Sequence, residues 1–177
     1  MICKKVLDKE SVELVDVRYI YEESFPLDER RDYTKLVELL LRNDTFILEA
    51  ICSEDKVVGM LSLWNLEGWL FIEHFAIAPA CRGRGIGREV IQAFIEGANH
   101  PIVLEVEPPT DEYSRRRIDF YRGLGFVLHD TYRYIQPSYD EDREAVELRL
   151  MTYGAPLNCN LDALARMLHG SVYGVKW

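Results

Sequence analysis

The stretch CRGRGIGR, residues Cys81–Arg88, contains three glycines and three arginines in eight residues. It follows the strand-like run LFIEHFAIAP and precedes the amphipathic run EVIQAFIEGA. A glycine-rich turn between a strand and a helix presents unpaired backbone N–H groups at the positive end of the helix dipole, which suits a phosphate group. The stretch therefore predicts an anion-binding loop.

Two common phosphate loops do not match this stretch. No Lys-Ser or Lys-Thr pair follows the glycines, so the loop of nucleotide-hydrolysing proteins is not present in it. The glycine spacing also differs from the GxGxxG spacing of dinucleotide-binding proteins. A different class of phosphorylated ligand is therefore expected.

The composition indicates one globular domain. The chain has 177 residues, 48% of them hydrophobic and 29% charged, with a net charge of −9. Such a charge argues against a broad nucleic-acid surface and favours a cationic partner. We expect a single domain over residues 1–177, with a core of about 1–153 and a C-terminal helical extension of about 154–177.

The remaining composition points to a cytoplasmic protein without a metal. The amino terminus lacks the apolar run of a secretory signal, and the longest apolar clusters are far shorter than a membrane span. The four cysteines form no CxxC pair and the four histidines no ligand spacing. We expect reduced thiols, no bound metal and no association with a membrane.

The pattern of apolar residues predicts an α/β fold with a mixed, largely antiparallel, seven-stranded twisted sheet flanked by helices. Ser11 is predicted to cap the first helix, which ends at Pro26. Short connections within 45–79 predict an antiparallel three-strand meander. Other predicted elements are a strand over Ile2–Leu7, helices over Asp32–Arg42, Ile86–Gly97 and Leu161–His169, the strands PIVLEVEPP, FVLHDTYRYI and AVELRLMTY, and the helix DEYSRRRIDFYRGLG.

The order of these motifs resembles the GNAT superfamily of acyl-CoA-dependent N-acyltransferases. The phosphate loop of that family is written Q/R-x-x-G-x-G/A, and Arg82–Gly87 matches it. The strand before the loop, the helix after it and the later run DFYRGLGF also occur in the family's order, so the resemblance covers roughly residues 1–153. It implies that acetyl-CoA is the co-substrate and that its pantetheine arm lies where the parallel strands IEHFAIAP and IVLEVE splay apart.

The resemblance also implies which residues contact acetyl-CoA. Main-chain groups of Phe75, Ala76 and Ile77 would bind the pantetheine amides. The pyrophosphate would be held by the loop, mostly through backbone N–H groups, and the residues concerned are Arg82, Gly83, Arg84, Gly85, Ile86 and Gly87. For Arg84 and Arg88, a solvated side chain remains an equal alternative.

Acetyl transfer to an amine requires a base for the ammonium proton and an acid for the departing thiolate. In the family a tyrosine of the helix after the fifth strand protonates the sulfur, and DFYRGLGF places Tyr121 there. The alternative for Tyr121 is a packed core aromatic. The predicted base is Glu73, a carboxylate in an apolar strand, placed by alternation on the face of Phe71, Phe75 and Ile77. A structural ion pair is the alternative for Glu73, and His74 is expected on the opposite face as a core histidine.

The acceptor is expected to be a cationic amine. Glu105 and Glu107 share one face of their strand and are candidates for the acceptor site, with pairing to the triplet Arg115–Arg117 as the alternative. That triplet is itself expected to form a solvated helix face. By the resemblance, the acidic segments EESFPLDER and QPSYDEDREA would build the acceptor pocket, although surface charge explains them nearly as well.

The predicted function is N-acetyl transfer from acetyl-CoA to a primary amine of a small molecule or peptide, by direct attack in a ternary complex. The alternative is a non-catalytic acyl-CoA-binding module. The C-terminal helix and VYGVKW are expected to pack on the sheet or on a second subunit, which leaves a homodimer possible.

Overall fold

The computed structural model describes residues 2–156 and 158–175, and these residues form eight strands and five α-helices. The strands are β1 (Ile2–Val6), β2 (Phe46–Ser53), β3 (Lys56–Leu66), β4 (Trp69–Ile77), β5 (Ile102–Val106), β6 (Val127–Leu128), β7 (Tyr134–Gln136) and β8 (Val146–Tyr153). The helices are α1 (Leu14–Ser24), α2 (Tyr33–Arg42), α3 (Ile86–Gly97), α4 (Glu112–Arg122) and α5 (Leu161–Ser171).

The strands form one mixed sheet in the order β1-β2-β3-β4-β5-β8-β6, and β7 also pairs with β8. All neighbouring pairs are antiparallel except β4 and β5, which are parallel. The connection between these two strands contains α3, as expected because a parallel return needs a long crossover. This confirms the predicted fold class.

Helices cover both faces of the sheet. Helices α1, α2 and α5 bury apolar residues such as Val17, Leu36 and Leu168 on one face. Helices α3 and α4 bury residues such as Ile91 and Ile118 on the other. We call these the α1 face and the α3 face. The predicted C-terminal helix packs on the α1 face; Lys176 and Trp177, at the end of VYGVKW, lie outside the described residues.

Two local predictions were wrong. The run FVLHDTYRYI forms two short strands instead of one, because a turn over 130–132 separates β6 from β7, so the sheet has eight strands. Ser11 does not cap α1: its hydroxyl binds Asp8 in the preceding turn, and Glu13 occupies the cap position without a side-chain cap.

Strands β4 and β5 separate after only three paired positions. Leu70, Phe71 and Ile72 pair with Ile102, Val103 and Leu104, and no pairing follows although β4 continues to Ile77 and β5 to Val106. Beyond this point the two strands leave a gap in the middle of the sheet, as the resemblance predicted.

A β-bulge lies on β4 at the point where the gap begins. Ser62 pairs with His74 and Leu63 with Ile72, so Glu73 is an extra residue with no partner on β3. A bulge interrupts the alternation of side chains. Phe71 packs on the α1 face, whereas Phe75 and Ile77 pack on the α3 face. The prediction that Glu73 shares the face of Phe75 and Ile77 was therefore wrong.

Gly59 on β3 sets how closely β4 approaches. A Cβ atom there would lie 2.6 Å from the carbonyl oxygen of Ala76 and 2.8 Å from Cδ1 of Ile77. We expect Gly59→Ala to lower the free energy of unfolding by about 1–3 kcal/mol because the backbone of β4 must shift, which urea unfolding would measure.

Gly97→Ala is the matched control. A Cβ atom at Gly97 meets nothing within 4 Å. A helix is more stable with alanine than with glycine in its interior, by roughly 0.5–1 kcal/mol. Its stability should be unchanged or slightly higher. Equal stability of both variants would show that the close approach of β3 and β4 is not a constraint.

Candidate active site

The glycine-rich loop opens onto a cleft of about 600 Å³ on the α3 face, which we call the glycine-loop cleft. Its lining brings the loop, the end of β4 and helix α4 together. The lining residues are Phe75, Ile77, Cys81, Arg82, Gly83, Gly85, Ile86, Gly87, Arg88, Arg116, Arg117, Phe120 and Tyr121.

The loop backbone explains its glycines. Gly83 and Gly85 have φ angles of 75° and 79°, in the left-handed region that side chains disfavour. Helix α3 begins at Ile86, so its first backbone N–H groups lie at the end of the loop without partners inside the helix. The loop therefore offers N–H groups and a helix dipole to an anion, as predicted.

The first turn of α3 packs against the end of β4 at Gly87. A Cβ atom at Gly87 would lie 3.6 Å from both Phe75 and Ile77. The floor of the cleft thus consists of the last residues of β4 and the start of α3. Ala76, the third predicted pantetheine residue, turns its side chain to the α1 face and does not line the cleft with a side chain.

The arginines of the loop have different positions. Arg82 donates from Nε to the carbonyl of Ile77 at 2.8 Å and so joins the loop to the end of β4. Arg88 donates to the carbonyl of Gly123 at 2.7 Å and joins α3 to the end of α4. Arg84 is exposed and does not line the cleft. Two of these side chains therefore hold the cleft together.

Helix α4 supplies the opposite wall. Arg116 and Arg117 line the cleft, although the sequence favoured a solvated face for the triplet, while Arg115 donates to the carbonyl of Pro109. Phe120 and Cys81 also line the cleft. This wall therefore combines two cationic side chains with an aromatic ring.

Tyr121 lies in the same wall. Its ring packs against Phe120 and Phe126 with centroids 5.1 and 5.4 Å away. Burial raises the pKa of its phenol to about 12, with Arg117 opposing the rise, and the hydroxyl has no hydrogen-bond partner in the part of the chain that the structure describes. Tyr121 is thus packed against other aromatic rings and also lines the cleft, and its hydroxyl is protonated.

A second, smaller cavity lies on the α1 face, beside the separation of β4 and β5. We call it the carboxylate cavity, because four glutamates line it. Its lining residues are Phe25, Glu29, Glu73, His74, Glu105, Val106, Glu107, Arg117, Gln136, Tyr139 and Leu148. Arg117 lines both cavities, so the cavity and the cleft approach each other at the gap in the sheet.

The carboxylate of Glu73 is sealed from solvent and forms a buried ion pair with Arg31, whose side chain is 8% exposed. It also accepts hydrogen bonds from Trp64 at 2.9 Å and Tyr139 at 3.1 Å. Burial alone would raise the pKa of Glu73, but the charge and hydrogen bond of Arg31 and the hydrogen bond from Trp64 outweigh it, so the pKa is lowered. The ion pair that the sequence left as an alternative is present.

His74 lies on the α1 face, opposite Phe75 and Ile77 as predicted. The bulge, however, leaves it on the same face as Glu73 and not opposite to it. Its Nε2 lies 3.0 Å from the carbonyl of Glu29, which can only accept, so Nε2 carries the proton and Nδ1 accepts from Ser62 at 3.1 Å. Burial lowers the pKa of His74, with Glu73 opposing. The expectation of a neutral, hydrogen-bonded core histidine agrees with this geometry.

Glu105 faces the cavity from β5. Its two carboxylate oxygens accept hydrogen bonds from Tyr134 at 2.5 Å and Tyr173 at 2.7 Å. Burial raises the pKa of Glu105 to about 7, while the two tyrosine hydrogen bonds oppose the rise. Glu107, by contrast, pairs with Arg117 nearer the surface, as one sequence alternative allowed.

The two acidic segments meet around the cavity, but few of their acidic residues line it. Of those residues only Glu29 does; burial and the nearby Glu107 raise its pKa. Arg143 donates to the carbonyls of Leu27 and Arg30 and so ties the second segment to the first. These segments contribute Gln136 and Tyr139 to the lining instead.

Three residues that organise the cavity were not singled out from the sequence, although one of them, Tyr139, lies in the segment QPSYDEDREA that was expected to build the acceptor pocket. Arg31 donates to Glu73 and, at 2.7 Å, to the carbonyl of Val172. Tyr139 stacks over the Arg31 guanidinium at 4.4 Å, and its ring centroid lies 5.1 Å from that of Tyr173. These residues come from distant loops, and only the buried Glu73 could have indicated that a cationic partner was needed.

Two negative findings apply to the described ranges 2–156 and 158–175. No helix there has the length and apolar character to cross a membrane. No group of three or more histidine, cysteine, aspartate or glutamate residues there is arranged to hold a metal ion.

Comparisons with known proteins agree with this architecture. A family model described as "Acetyltransferase (GNAT) family" matches residues 14–126. A protein from Bacteroides thetaiotaomicron assigned to the GNAT family superposes with a TM-score of 0.91 at 32% identity, over 98% of this chain and 99% of that chain. A comparison with curated protein sequences gives no significant match.

More distant structures share the fold. NAA60 of Arabidopsis thaliana in complex with acetyl-CoA superposes with a TM-score of 0.65 at 15% identity, over 86% of this chain and 98% of that one. YncA of Salmonella typhimurium with its cofactor acetyl-CoA gives 0.61 at 17% identity, over 90% and 99%.

Glu73→Gln tests the ion pair. The substitution leaves the Arg31 guanidinium buried without its counter-charge, so we expect it to lower the free energy of unfolding by about 3–5 kcal/mol, measured by urea unfolding. Glu67→Gln, in the exposed turn before β4, is the matched control and should be neutral. A Glu73→Gln variant of unchanged stability would contradict the structural role.

Proposed function

Since the chain belongs to the acetyltransferase (GNAT) family, we propose that it transfers the acetyl group of acetyl-CoA to a primary amine of a small molecule or peptide. The transfer proceeds by direct attack of the amine in a ternary complex. The observation that carries this proposal is the pair of cavities on opposite faces of the sheet, which lie beside the separation of β4 and β5 and share Arg117 in their linings.

The residues of the glycine-loop cleft fit coenzyme A, the carrier of the acetyl group. The N–H groups at the start of α3 and the left-handed turns at Gly83 and Gly85 suit a pyrophosphate. Arg116 and Arg117 add positive charge to the same cleft. The end of β4, with Phe75 and Ile77 along the floor, would take the pantetheine arm.

Tyr121 is proposed as the donor to the sulfur. A phenol with a pKa of about 12 is a weaker acid than a thiol, whose usual pKa is about 8.5, so handing its proton to a free thiolate would cost roughly 5 kcal/mol. Tyr121 would therefore act first as a hydrogen-bond donor to the sulfur. It passes on its proton only as the nitrogen releases one after the C–N bond forms.

The carboxylate cavity is proposed as the acceptor site. Its glutamates favour a cation, and the net charge of −9 agrees with a cationic partner. For Glu73, the predicted base, the sealed carboxylate supports a positioning role: it holds Arg31 and Tyr139 at the cavity. A cytoplasmic location and a homodimer stay predictions from the sequence.

A non-catalytic acyl-CoA-binding module is the second candidate. The loop and cleft suit it equally, and only the carboxylate cavity beside Tyr121 favours an enzyme. Release of coenzyme A thiol in the presence of amines separates the two candidates.

Calorimetry with acetyl-CoA tests the cofactor site. The wild-type chain should bind acetyl-CoA, and Gly85→Ala should bind it more weakly, because a left-handed alanine costs about 1–2 kcal/mol and moves the loop N–H groups. Gly97→Ala, at the far end of α3, should bind like the wild type. If titration of the wild-type chain with acetyl-CoA gives no heat of binding, acetyl-CoA as the acetyl donor is refuted.

Tyr121→Phe tests the proposed acid. Removing the hydroxyl should reduce kcat by about 100-fold or more, the range for a proton-transfer group, while calorimetry shows nearly the same affinity for acetyl-CoA. Tyr113→Phe is the matched control, since Tyr113 lies on the same helix and is 83% exposed. An unchanged kcat in Tyr121→Phe would remove Tyr121 from the mechanism.

A further inference from the structure

Glu73 and Glu105 occupy equivalent places on the two strands that separate. Ile72 and Leu104 are the last paired residues of β4 and β5, and each glutamate is the next residue of its strand. Both carboxylates lie on the α1 face and line the carboxylate cavity. Two carboxyl groups thus lie where the two strands begin to separate, one on each strand.

One cation faces these two carboxylates. Arg31 pairs with Glu73 and has no hydrogen bond to Glu105 among the described residues. His74 is held neutral by its bonds to Ser62 and to the Glu29 carbonyl. Of the four glutamates that line the cavity, Glu73 pairs with Arg31 and Glu107 with Arg117, which leaves Glu29 and Glu105 without an ion-pair partner among the described residues.

Only neutral hydroxyls contact Glu105. Tyr134 on β7 and Tyr173 after α5 donate to its two oxygens. Burial raises the pKa of both phenols, as it does for Tyr139 nearby, so all three keep their protons. His169, whose ring lies 5.4 Å from Tyr134, has a pKa that burial lowers. Burial raises the pKa of Glu105 and the charge of Arg31 opposes the rise, but no cationic side chain among the described residues contacts its carboxylate.

The two glutamates also differ in their charge partners. The side chain of Glu73 is 0% exposed and pairs with Arg31, whereas the carboxylate of Glu105 accepts hydrogen bonds from two tyrosine hydroxyls only. Glu107 is already paired with Arg117, and Glu29 lies in the segment between α1 and α2 and not on either of the two separating strands. Glu105 is thus the carboxyl group on these strands that lines the cavity and has no ion-pair partner among the described residues.

We propose that Glu105 binds the ammonium group of the acceptor and accepts its proton. This rests on the proposed function and replaces Glu73 with Glu105 as the base. The ammonium ion and the Glu105 carboxylate become a neutral amine and a carboxylic acid. The amine nitrogen then forms a bond to the acetyl carbon, and the bond from that carbon to sulfur breaks.

The protons balance as follows. The first proton of the ammonium passes to Glu105 and from there to solvent, which returns Glu105 to its carboxylate. The second leaves the nitrogen after the C–N bond has formed and ends on the coenzyme A sulfur by way of Tyr121. Tyr134 and Tyr173 are positioning residues, because their hydrogen bonds favour the ionised form of Glu105.

The first test measures ammonium binding without any acetyl transfer. In protein labelled with ¹³C at glutamate carboxyls, NMR titration should give one resonance with a midpoint near pH 7 that is missing in Glu105→Gln. Adding n-butylammonium should lower this midpoint, because a bound cation favours the carboxylate; butanol should not. An ordinary midpoint, or one unmoved by n-butylammonium and benzylammonium, would overturn the proposal.

The second test measures how kcat/KM depends on pH. The acceptor is the amine that gives the fastest release of coenzyme A thiol from acetyl-CoA. In the wild type, kcat/KM should rise with pH with an apparent pKa near 7. In Glu105→Gln this rise should be absent, and kcat/KM should fall by about 100-fold or more. Glu67→Gln should have the pH profile and the kcat/KM of the wild type. A Glu105→Gln variant with an unchanged profile would overturn the proposal.

Tyr173→Phe covers the case in which Glu105→Gln does not fold. Loss of one hydrogen bond to the carboxylate should raise the midpoint of Glu105 and move the rise of kcat/KM to higher pH, which a purely structural tyrosine would not do. An unmoved rise would count against Glu105. Failure of acetyl transfer itself is distinguishable, since the NMR shift with n-butylammonium does not depend on acetyl-CoA.

Discussion

The early separation of β4 and β5 is the constraint on which the site depends. Three paired positions hold the two parallel strands together, and then the sheet opens. A gap in the middle of a sheet exposes backbone groups on both strands, which need partners. On the α3 face the opening meets a cleft lined by a glycine-rich loop, and on the α1 face a cavity lined by carboxylates. The same break thus supplies a place for each of two substrates.

Electrostatics divides these two places. The cleft combines a helix N-terminus with Arg116 and Arg117, which suits phosphate groups. The cavity carries Glu73 and Glu105, of which Arg31 neutralises only the first. An anionic ligand would therefore be attracted to the cationic cleft and a cationic ligand to the anionic cavity. Each ligand would be repelled from the site of the other.

Most of the fold was predictable from the sequence, because apolar periodicity, glycines and prolines mark elements locally. The helix Ile86–Gly97 and the phosphate loop before it were predicted at the bounds that the structure has. The face of Glu73 was not, because one bulge residue reverses the alternation of side chains and leaves no compositional mark. Arg31 and Tyr173 were missed for another reason: their roles depend on contacts between distant parts of the chain, which no local pattern encodes.

The bond from Arg31 to the carbonyl of Val172 joins residues 141 positions apart. Closing so long a loop costs more entropy than forming the local meander of β2, β3 and β4, and contacts of high sequence separation slow folding. The carboxylate cavity is thus completed late, after the sheet that surrounds it. It can also open first: a local loosening of α5 would release Arg31 and Glu105 together while the glycine-loop cleft stays intact. Affinity for the donor and competence for transfer would then be lost at different points along one unfolding path.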